Sequence, residues 1–342
     1  PNDHVNMGQS TNDAFPTAGK IAALRLGART VEELEKLYEA LLKKSEEFDH
    51  VIKMARTHLQ DAVPIRLGQE FHGYSSVIKR DIDRIKNALD GIRVVNMGAS
   101  AVGTGINVDT EYLEFIVPDL NEIVNLDLVQ AEDLVDGTNN LDGFVFVSAA
   151  LKTAAVNLSK MSNDMRLMAS GPRCGFYELH LPAKQAGSSI MPGKVNPVIA
   201  EVMSQTAFNL IGNDTAVTMA AEAGQLELNV FEPVLLYNLY ESIETLGNGV
   251  ATFRDNLVVG VKANEERGKE LVDGSVGTIT AIVPHVGYKN AAKIANQAIE
   301  TGEPVREIAI REGLLTEEEL NEILDPFAMT EPGIAAKHLL DE

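Results

Sequence analysis

The sequence predicts an all-α fold, with a central bundle of about five long helices and a small helical domain at the C-terminal end. The first observation is the spacing of apolar residues. They recur at steps of three and four through several long stretches, as on the inward face of a bundle helix. The second observation is the placement of proline and glycine, which mostly stand at the ends of these stretches, where helices start or stop.

Each long helix is predicted from a run of helical spacing beside a proline or glycine. The clearest run lies between Leu67 and Leu89, where apolar residues alternate steps of three and four. Another ends at SGPRCG (170–175), because glycine and proline there forbid continuation. The five predicted helices are Pro16 to about Phe48, the helix that follows Pro64, about Leu141 to Ala169, the helix that follows Pro197, and Pro233 to about Leu257.

Beyond about Val261 the periodic segments become shorter. Thr316 followed by Glu319 is a capping box at the start of an apolar run, and VREIAIREG (305–313) is a short helix with a glycine stop. We therefore predict two domains, a helical bundle over 1–262 and a small helical domain over 263–342.

Composition limits the classes of partner. The net charge of −21 over 342 residues argues against nucleic acid and anionic membrane surfaces, and an anionic substrate would need a local cationic pocket. Cys174 is the only cysteine, which excludes an internal disulfide and fits a reducing compartment. No apolar run reaches membrane-spanning length, so a cytoplasmic location is expected.

Three polar segments at helix ends hold the candidate functional residues: 9–13, 56–61 and 186–201. The last, AGSSIMPGKVNPVIAE, combines hydroxyls, an amide and the Lys194 cation with glycines and prolines, so it predicts a shaped loop suited to a carboxylate substrate and a proton-transfer group. From the residues alone, a flexible connection is the more common reading of such a loop. Likewise, 10–13 has the composition of a helix cap, and His58 that of a helix-entry histidine.

The three segments need not meet within one chain. A helix of 25 to 30 residues spans roughly 40 Å at ~1.5 Å per residue, so its two ends are far apart. Either the segments lie at unrelated points of the surface, or an oligomer brings them together.

Nearly the whole chain resembles the fumarase/aspartase superfamily, with the matching segments in family order. These segments are NDHVNMGQSTND, RTHLQDAVPIRLGQEF, SGPRCG, GSSIMPGKVNP and AEAGQLELNVFEP. The resemblance implies a long-helix bundle flanked by two small domains, and a homotetramer whose active sites draw loops from three subunits. It also implies that an upstream domain of the family, with a further substrate loop, is missing from this chain.

The resemblance also implies roles, carried over position by position. Ser188 matches the catalytic base, and Glu201 matches the carboxylate that partners a histidine. The residues matching those that bind substrate are Ser10, Thr11, Asn12, Thr57, His58, Lys194 and Asn196, with His58 also in the catalytic set. No metal site or cofactor is implied.

The expected reaction is elimination of ammonia from L-aspartate to give fumarate, because the runs NPVIAE and NVFEP resemble those of the family's aspartases. Removal of a proton next to a carboxylate builds a doubly charged aci-carboxylate, which Lys194 and Asn196 would stabilise. Two alternatives stay open. One is hydration of fumarate, as in class II fumarases on the same scaffold. The other is a truncated, non-catalytic helical assembly module.

Overall fold

The computed structural model describes residues 3–340, and it confirms the predicted all-α class. Among these residues, five helices have 22 or more residues: α1, α2, α5, α6 and α7. The helices are α1 (Thr11–Glu47), α2 (Leu67–Gly91), α3 (Thr110–Val124), α4 (Leu134–Asn139), α5 (Asp142–Met168), α6 (Val198–Glu222), α7 (Glu232–Phe253), α8 (Glu265–Gly274), α9 (Ile279–Val286), α10 (Tyr288–Thr301), α11 (Val305–Arg311) and α12 (Glu317–Ile323).

Short strands form three two-stranded sheets in the described part of the chain, and none of them was predicted. The strands are β1 (Ile52–Thr57), β2 (Gln60–Arg66), β3 (Val94–Val95), β4 (Val129–Gln130), β5 (Leu179–His180) and β6 (Lys262–Ala263). β1 pairs with β2, β3 with β4, and β5 with β6. Helices α3 and α4 were not predicted either, and α3 contains Pro118.

Helix α1 begins at Thr11, so the prediction that Pro16 opens it was wrong. Proline has no N–H to donate to the carbonyl four residues earlier, which here is that of Asn12. The side chain of Asn96 supplies the missing donor, since its Nδ2 lies 3.1 Å from the Asn12 carbonyl oxygen. The helix tolerates Pro16 because the Asn12 carbonyl, which receives no hydrogen bond from proline, accepts one from the Asn96 side chain.

Helix α2 begins at Leu67, so the prediction that Pro64 opens it was wrong: Pro64, Ile65 and Arg66 still belong to β2. Pro64 lies in β2 opposite Met54. The register of the hairpin shifts between Met54 and Arg56, and such bulges are among the few places where a sheet accepts proline.

One compact unit consists of residues up to 39, 76–164 and 184–257. Its core is aliphatic, with fully buried side chains such as Leu210 on α6 and Leu239 on α7. Helix α7 runs parallel to α1, as two hydrogen bonds between them show. Tyr240 Oη donates to the Gly19 carbonyl at 2.9 Å, and further along both helices Thr30 Oγ1 donates to the Ile243 carbonyl at 2.8 Å.

Helix α6 is antiparallel to α7. Near the middle of the pair, Asn213 Nδ2 donates to Glu241 Oε2 at 2.9 Å and to Ser242 Oγ at 3.1 Å. Further along, Thr206 lies against Gly249. The start of α6 therefore lies beside the end of α7.

A second compact unit consists of 40–75, 165–183 and the chain from 258 onward. Its C-terminal helices enclose a cluster of buried residues that includes Ile282, Ile294, Ile308 and Leu320. The capping box of α12 is present, as predicted: Thr316 Oγ1 accepts from the Glu319 N–H, and the Glu319 side chain accepts from the Thr316 N–H. The predicted division into 1–262 and 263–342 stays a prediction. The second compact unit also includes two earlier segments, 40–75 and 165–183. No helix within 3–340 is long and apolar enough to cross a membrane.

Candidate active site

The segment 10–12 forms the N-terminal corner of α1, and the Asp13 carboxylate fixes it. Asp13 is fully buried and accepts from the backbone N–H of Ser10 at 2.9 Å, of Gly98 at 3.2 Å and of Ser100 at 3.0 Å. Ser10, Thr11 and Asn12 are thereby held where the first turn of a 37-residue helix presents its positive end, which favours a bound carboxylate.

Asn12 is tied to a neighbouring loop as well as to its own helix. Its Nδ2 donates to the Ala101 carbonyl at 2.7 Å, and its backbone N–H donates to Ser10 Oγ at 3.2 Å. This corner is pre-organised by protein contacts, which reduces the entropy that a bound ligand would have to overcome.

The loop 187–196 brings together three of the predicted site residues. The Ser188 hydroxyl oxygen accepts from the backbone N–H of Ile190 at 3.1 Å and of Met191 at 2.9 Å. Hydrogen bonds to the charged form of an oxygen acid lower its pKa, so two N–H donors aimed at one hydroxyl favour its alkoxide. Ser188 is half-buried and the Lys194 side chain is exposed on the same loop.

Two features close this loop. Asn196 Nδ2 donates to the Gly187 carbonyl at 2.7 Å. A Cβ added at Gly187 would come within 1.5 Å of the Lys194 carbonyl oxygen, so that position accepts only glycine. Asn196 leads directly into α6, and Glu201 lies half-buried in the first turn of that helix.

His58 lies at the tip of the hairpin formed by β1 and β2. Thr57 pairs with Gln60, so His58 and Leu59 make a two-residue turn with φ of +54° and +60°. Such turns usually hold Asn-Gly, and non-glycine residues there cost about 1 kcal/mol or more each. Thr57 and His58 are both exposed. The sequence HL lacks the usual turn residues, which is why a helix entry was expected at this point.

Within the first unit, the 10–12 corner and the 187–201 segment lie at opposite ends of the bundle. The start of α1 lies beside the start of α7, whereas the start of α6 lies beside the end of α7. Helix α7 has 22 residues and is roughly 33 Å long at ~1.5 Å per residue. Ser10, Thr11 and Asn12 of one chain therefore cannot bind the same small molecule as Lys194 and Asn196 of that chain.

A buried carboxylate that sequence reasoning did not single out as a site residue lies at the start of α7. Glu232 is 5% exposed, its Oε1 has no hydrogen-bond partner among the described residues, and burial raises its pKa to about 7 against the opposing charge of Lys20. Burial also lowers the pKa of Lys20, while Glu232, Asp142 and Asp136 oppose that change. Glu232 belongs to the run NVFEP, which favoured an aspartase in the sequence, but no local pattern reports that its side chain is buried.

Sequence reasoning also missed groups that hold the site residues in place, such as Asn96 and Glu178, and it included Asp13 only as part of a helix cap. In the described part of the chain, no group of three or more His, Cys, Asp or Glu side chains is placed to hold a metal ion.

Comparison with known proteins gives consistent matches along the chain. A family model described as "Lyase" matches residues 1–212, and one described as "Fumarase C C-terminus" matches residues 279–331. An aspartate ammonia-lyase of Bacillus subtilis strain 168 is 56% identical over 342 residues, which is 100% of this chain and 72% of that protein.

Two solved structures share the fold. A structure described as fumarate lyase:delta crystallin from Brucella melitensis bound to cobalt has a TM-score of 0.94 at 45% identity, over 97% of this chain and 72% of its own. A class II fumarase from Schistosoma mansoni has a TM-score of 0.91 at 38% identity, over 97% and 73%. The first family model alone covers more than half of the chain, and the order of motifs agrees with it. The chain therefore belongs to the lyase family of the fumarase/aspartase superfamily.

Proposed function

We propose that this lyase eliminates ammonia from L-aspartate to give fumarate. The observation that carries the proposal is the 187–196 loop, where two backbone N–H groups point at the Ser188 oxygen and a lysine and an asparagine follow on the same loop. The similarity to the aspartate ammonia-lyase of Bacillus subtilis over the full length of the chain supports this choice of substrate.

In the proposed reaction the Ser188 alkoxide takes the proton from the carbon next to a carboxylate. The electron pair moves into that carboxylate, and the Lys194 cation and Asn196 amide stabilise the doubly charged aci-carboxylate. Collapse of this intermediate forms the carbon–carbon double bond and breaks the carbon–nitrogen bond, so the substrate ammonium leaves as ammonia. The N-terminal corner of α1, with Ser10, Thr11 and Asn12, also binds substrate carboxylate.

Thr57 and His58 bind the substrate from the hairpin turn, and Glu201 is proposed to hold the histidine in a defined orientation. A histidine with a carboxylate partner suits either proton transfer or a fixed hydrogen bond to the substrate.

We further propose that the active protein is a homotetramer with active sites shared between subunits. The separation of the 10–12 corner from the 187–201 segment along α7 supports shared sites. An exposed apolar stripe on α6 supports the assembly: Phe208, Ile211 and Met219 are 64%, 40% and 58% exposed, on the side of the helix away from buried Leu210. The acidic charge makes nucleic acid and anionic membranes unfavourable partners, and a cytoplasmic location is proposed.

Hydration of fumarate is the second candidate, favoured by the 0.91 TM-score to the class II fumarase of Schistosoma mansoni. The deciding experiment follows fumarate by its ultraviolet absorbance with L-aspartate, with L-malate and without substrate. Faster turnover of L-aspartate is expected. Equal or faster turnover of L-malate would favour a fumarase. An assembled protein with no turnover of either substrate would favour the non-catalytic assembly module.

A further inference from the structure

An ion pair directly behind the His58 turn fixes the hairpin that carries it. Arg56 stands two residues before His58, and its Nη1 lies 3.0 Å from each carboxylate oxygen of Glu178. The guanidinium also stacks 4.0 Å from the centre of the Phe176 ring. The Glu178 side chain is 2% exposed, so water screens this pair weakly.

Glu178 is itself rigidly held. Its backbone N–H donates to the Met168 carbonyl at 2.8 Å, and its carbonyl accepts from the Asn264 N–H at 2.8 Å. A second buried cation lies behind the first, since Lys53 Nζ is 3.7 Å from Glu178 and 2.8 Å from Glu70. The Glu178 carboxylate that pairs with Arg56 is therefore held in place within the second compact unit.

The other strand of the hairpin is tied as well. Asp61 is the cross-strand partner of Arg56, and its Oδ2 accepts from the buried Ser275 hydroxyl at 2.7 Å. Both strands are therefore anchored immediately below a turn whose two residues have positive φ. Backbone strain of this kind persists only where surrounding contacts determine the conformation, and it is concentrated at functional sites.

We propose that Arg56 is a positioning residue for the lyase reaction: through Glu178 it holds the strained turn so that Thr57 and His58 meet the substrate in a fixed geometry. The inference rests on the proposed function, because the turn has a substrate only if the chain is such a lyase. The contacts of the guanidinium are to Glu178, the Phe176 ring and the Met54 carbonyl, so Arg56 acts through the turn and not on the substrate.

The same hairpin offers a matched control at its far end. Arg66 Nη2 lies 2.5 Å from Glu331 Oε1, and its guanidinium is 5.0 Å from the centre of the Phe327 ring. Like Arg56→Gln, Arg66→Gln therefore removes an ion pair with a glutamate and a contact with a phenylalanine ring, but at the end of the hairpin away from the turn.

The test compares Arg56→Gln, Arg56→Lys and Arg66→Gln in the assembled protein by steady-state kinetics with L-aspartate and by hydrogen exchange of the peptide that covers the turn. For Arg56→Gln we expect kcat/KM to fall on the order of 100-fold, with KM raised and kcat lowered, because small misplacement of binding groups has effects of this size. Exchange at the turn should become faster. Arg56→Lys should recover part of the activity, and Arg66→Gln should change neither quantity at the turn.

Glu178→Gln is the second variant, for the case in which Arg56→Gln does not fold. It should reproduce the kinetic loss, and the double variant should be no worse than either single one, because both changes remove one interaction. Unchanged kcat/KM in Arg56→Gln, or a loss matched by Arg66→Gln, would overturn the inference. The inference would also be overturned if Arg56→Gln lost turnover while hydrogen exchange at the turn stayed unchanged.

Failure of the proposed function would be seen separately, as absence of L-aspartate turnover by the unaltered protein. Faster exchange at the turn in Arg56→Gln but not in Arg66→Gln would then support only the part of the inference that says the Arg56–Glu178 pair holds the turn, and equal exchange in the two variants would overturn that part as well.

Discussion

The hydroxyl oxygen of Ser188 lies 2.9 Å from the backbone nitrogen of Met191, within a loop that closes on itself through Gly187 and Asn196. In the proposed reaction, these backbone N–H donors would stabilise the alkoxide form of Ser188.

The first prediction concerns this oxygen. Ser188→Ala should lower turnover of L-aspartate by more than tenfold while leaving the helical assembly intact, because the loop lies outside the core of the bundle. Steady-state kinetics and circular dichroism would check the two parts. A variant that retains more than about a tenth of the activity, a barrier change under ~1.4 kcal/mol, would mean that another group takes the proton.

The second prediction concerns Lys194, whose side chain is exposed on the same loop. Lys194→Met should weaken binding of a non-reactive dicarboxylate such as succinate at least tenfold, because the anion loses its cationic partner. Isothermal titration measures this directly. Lys184→Met, on another exposed lysine outside the loop, is the control and should bind succinate normally. Equal affinity of the two variants would remove Lys194 from the substrate site.

The third prediction concerns Glu232, whose pKa burial raises from 4.5 to about 7. The folded protein holds this proton more tightly than the unfolded chain. The stabilisation is therefore fully present below pH 4.5 and is lost as the pH rises through 7, a total of about 3 kcal/mol. Glu232→Gln should raise the free energy of unfolding at pH 8 and reduce its fall between pH 5 and pH 8.

Denaturant unfolding at several pH values would check this result, with Glu244→Gln as an exposed control on the same helix. The same pH dependence in Glu232→Gln and in the unaltered protein would show that the buried carboxylate does not carry the effect.

The fourth prediction tests the relationship between Asn96 and Pro16. Asn96 is fully buried, and its Nδ2 donates to the Asn12 carbonyl at 3.1 Å and to Thr138 Oγ1 at 3.0 Å. Asn96→Ala should destabilise the fold by about 1–3 kcal/mol, because the half-buried Asn12 carbonyl loses its donor. In a Pro16→Ala background the loss should be smaller, because the new N–H of residue 16 can donate to Asn12. Purely additive effects in a double-mutant cycle would contradict this account.

The sequence predicted the long helices well, because one buried face repeats at the helical period over many residues. Its errors occurred at Pro16 and Pro64, where proline was expected to open a helix. Helix α1 tolerates Pro16 because the side chain of Asn96, distant in sequence, donates to the Asn12 carbonyl. Strand β2 tolerates Pro64 because the hairpin has a bulge beside it. A local reading of proline cannot include a partner about eighty residues away in the chain.

The candidate site shows the same division. Residue types and the family resemblance pointed to Ser188, Lys194, Asn196 and the other site residues, whose roles remain proposals. Of the groups that hold them, Asp13 was included only as part of a helix cap, and Glu178 behind the His58 turn was not predicted. Their significance comes from burial and from contacts between distant segments, which no local pattern reports.

The central proposal is that one active site draws residues from different subunits. We take His58 and Ser188 as the pair of residues that tests it, because complementation between their variants is the most direct measurement. His58→Ala and Ser188→Ala proteins should each be nearly inactive. They should be unfolded, mixed in equal amounts and refolded. Each of the two loops is intact with a chance of one half, so about one quarter of the sites should regain activity. No recovery on mixing, while the unaltered protein refolds to full activity, would place both residues in one chain and contradict the account.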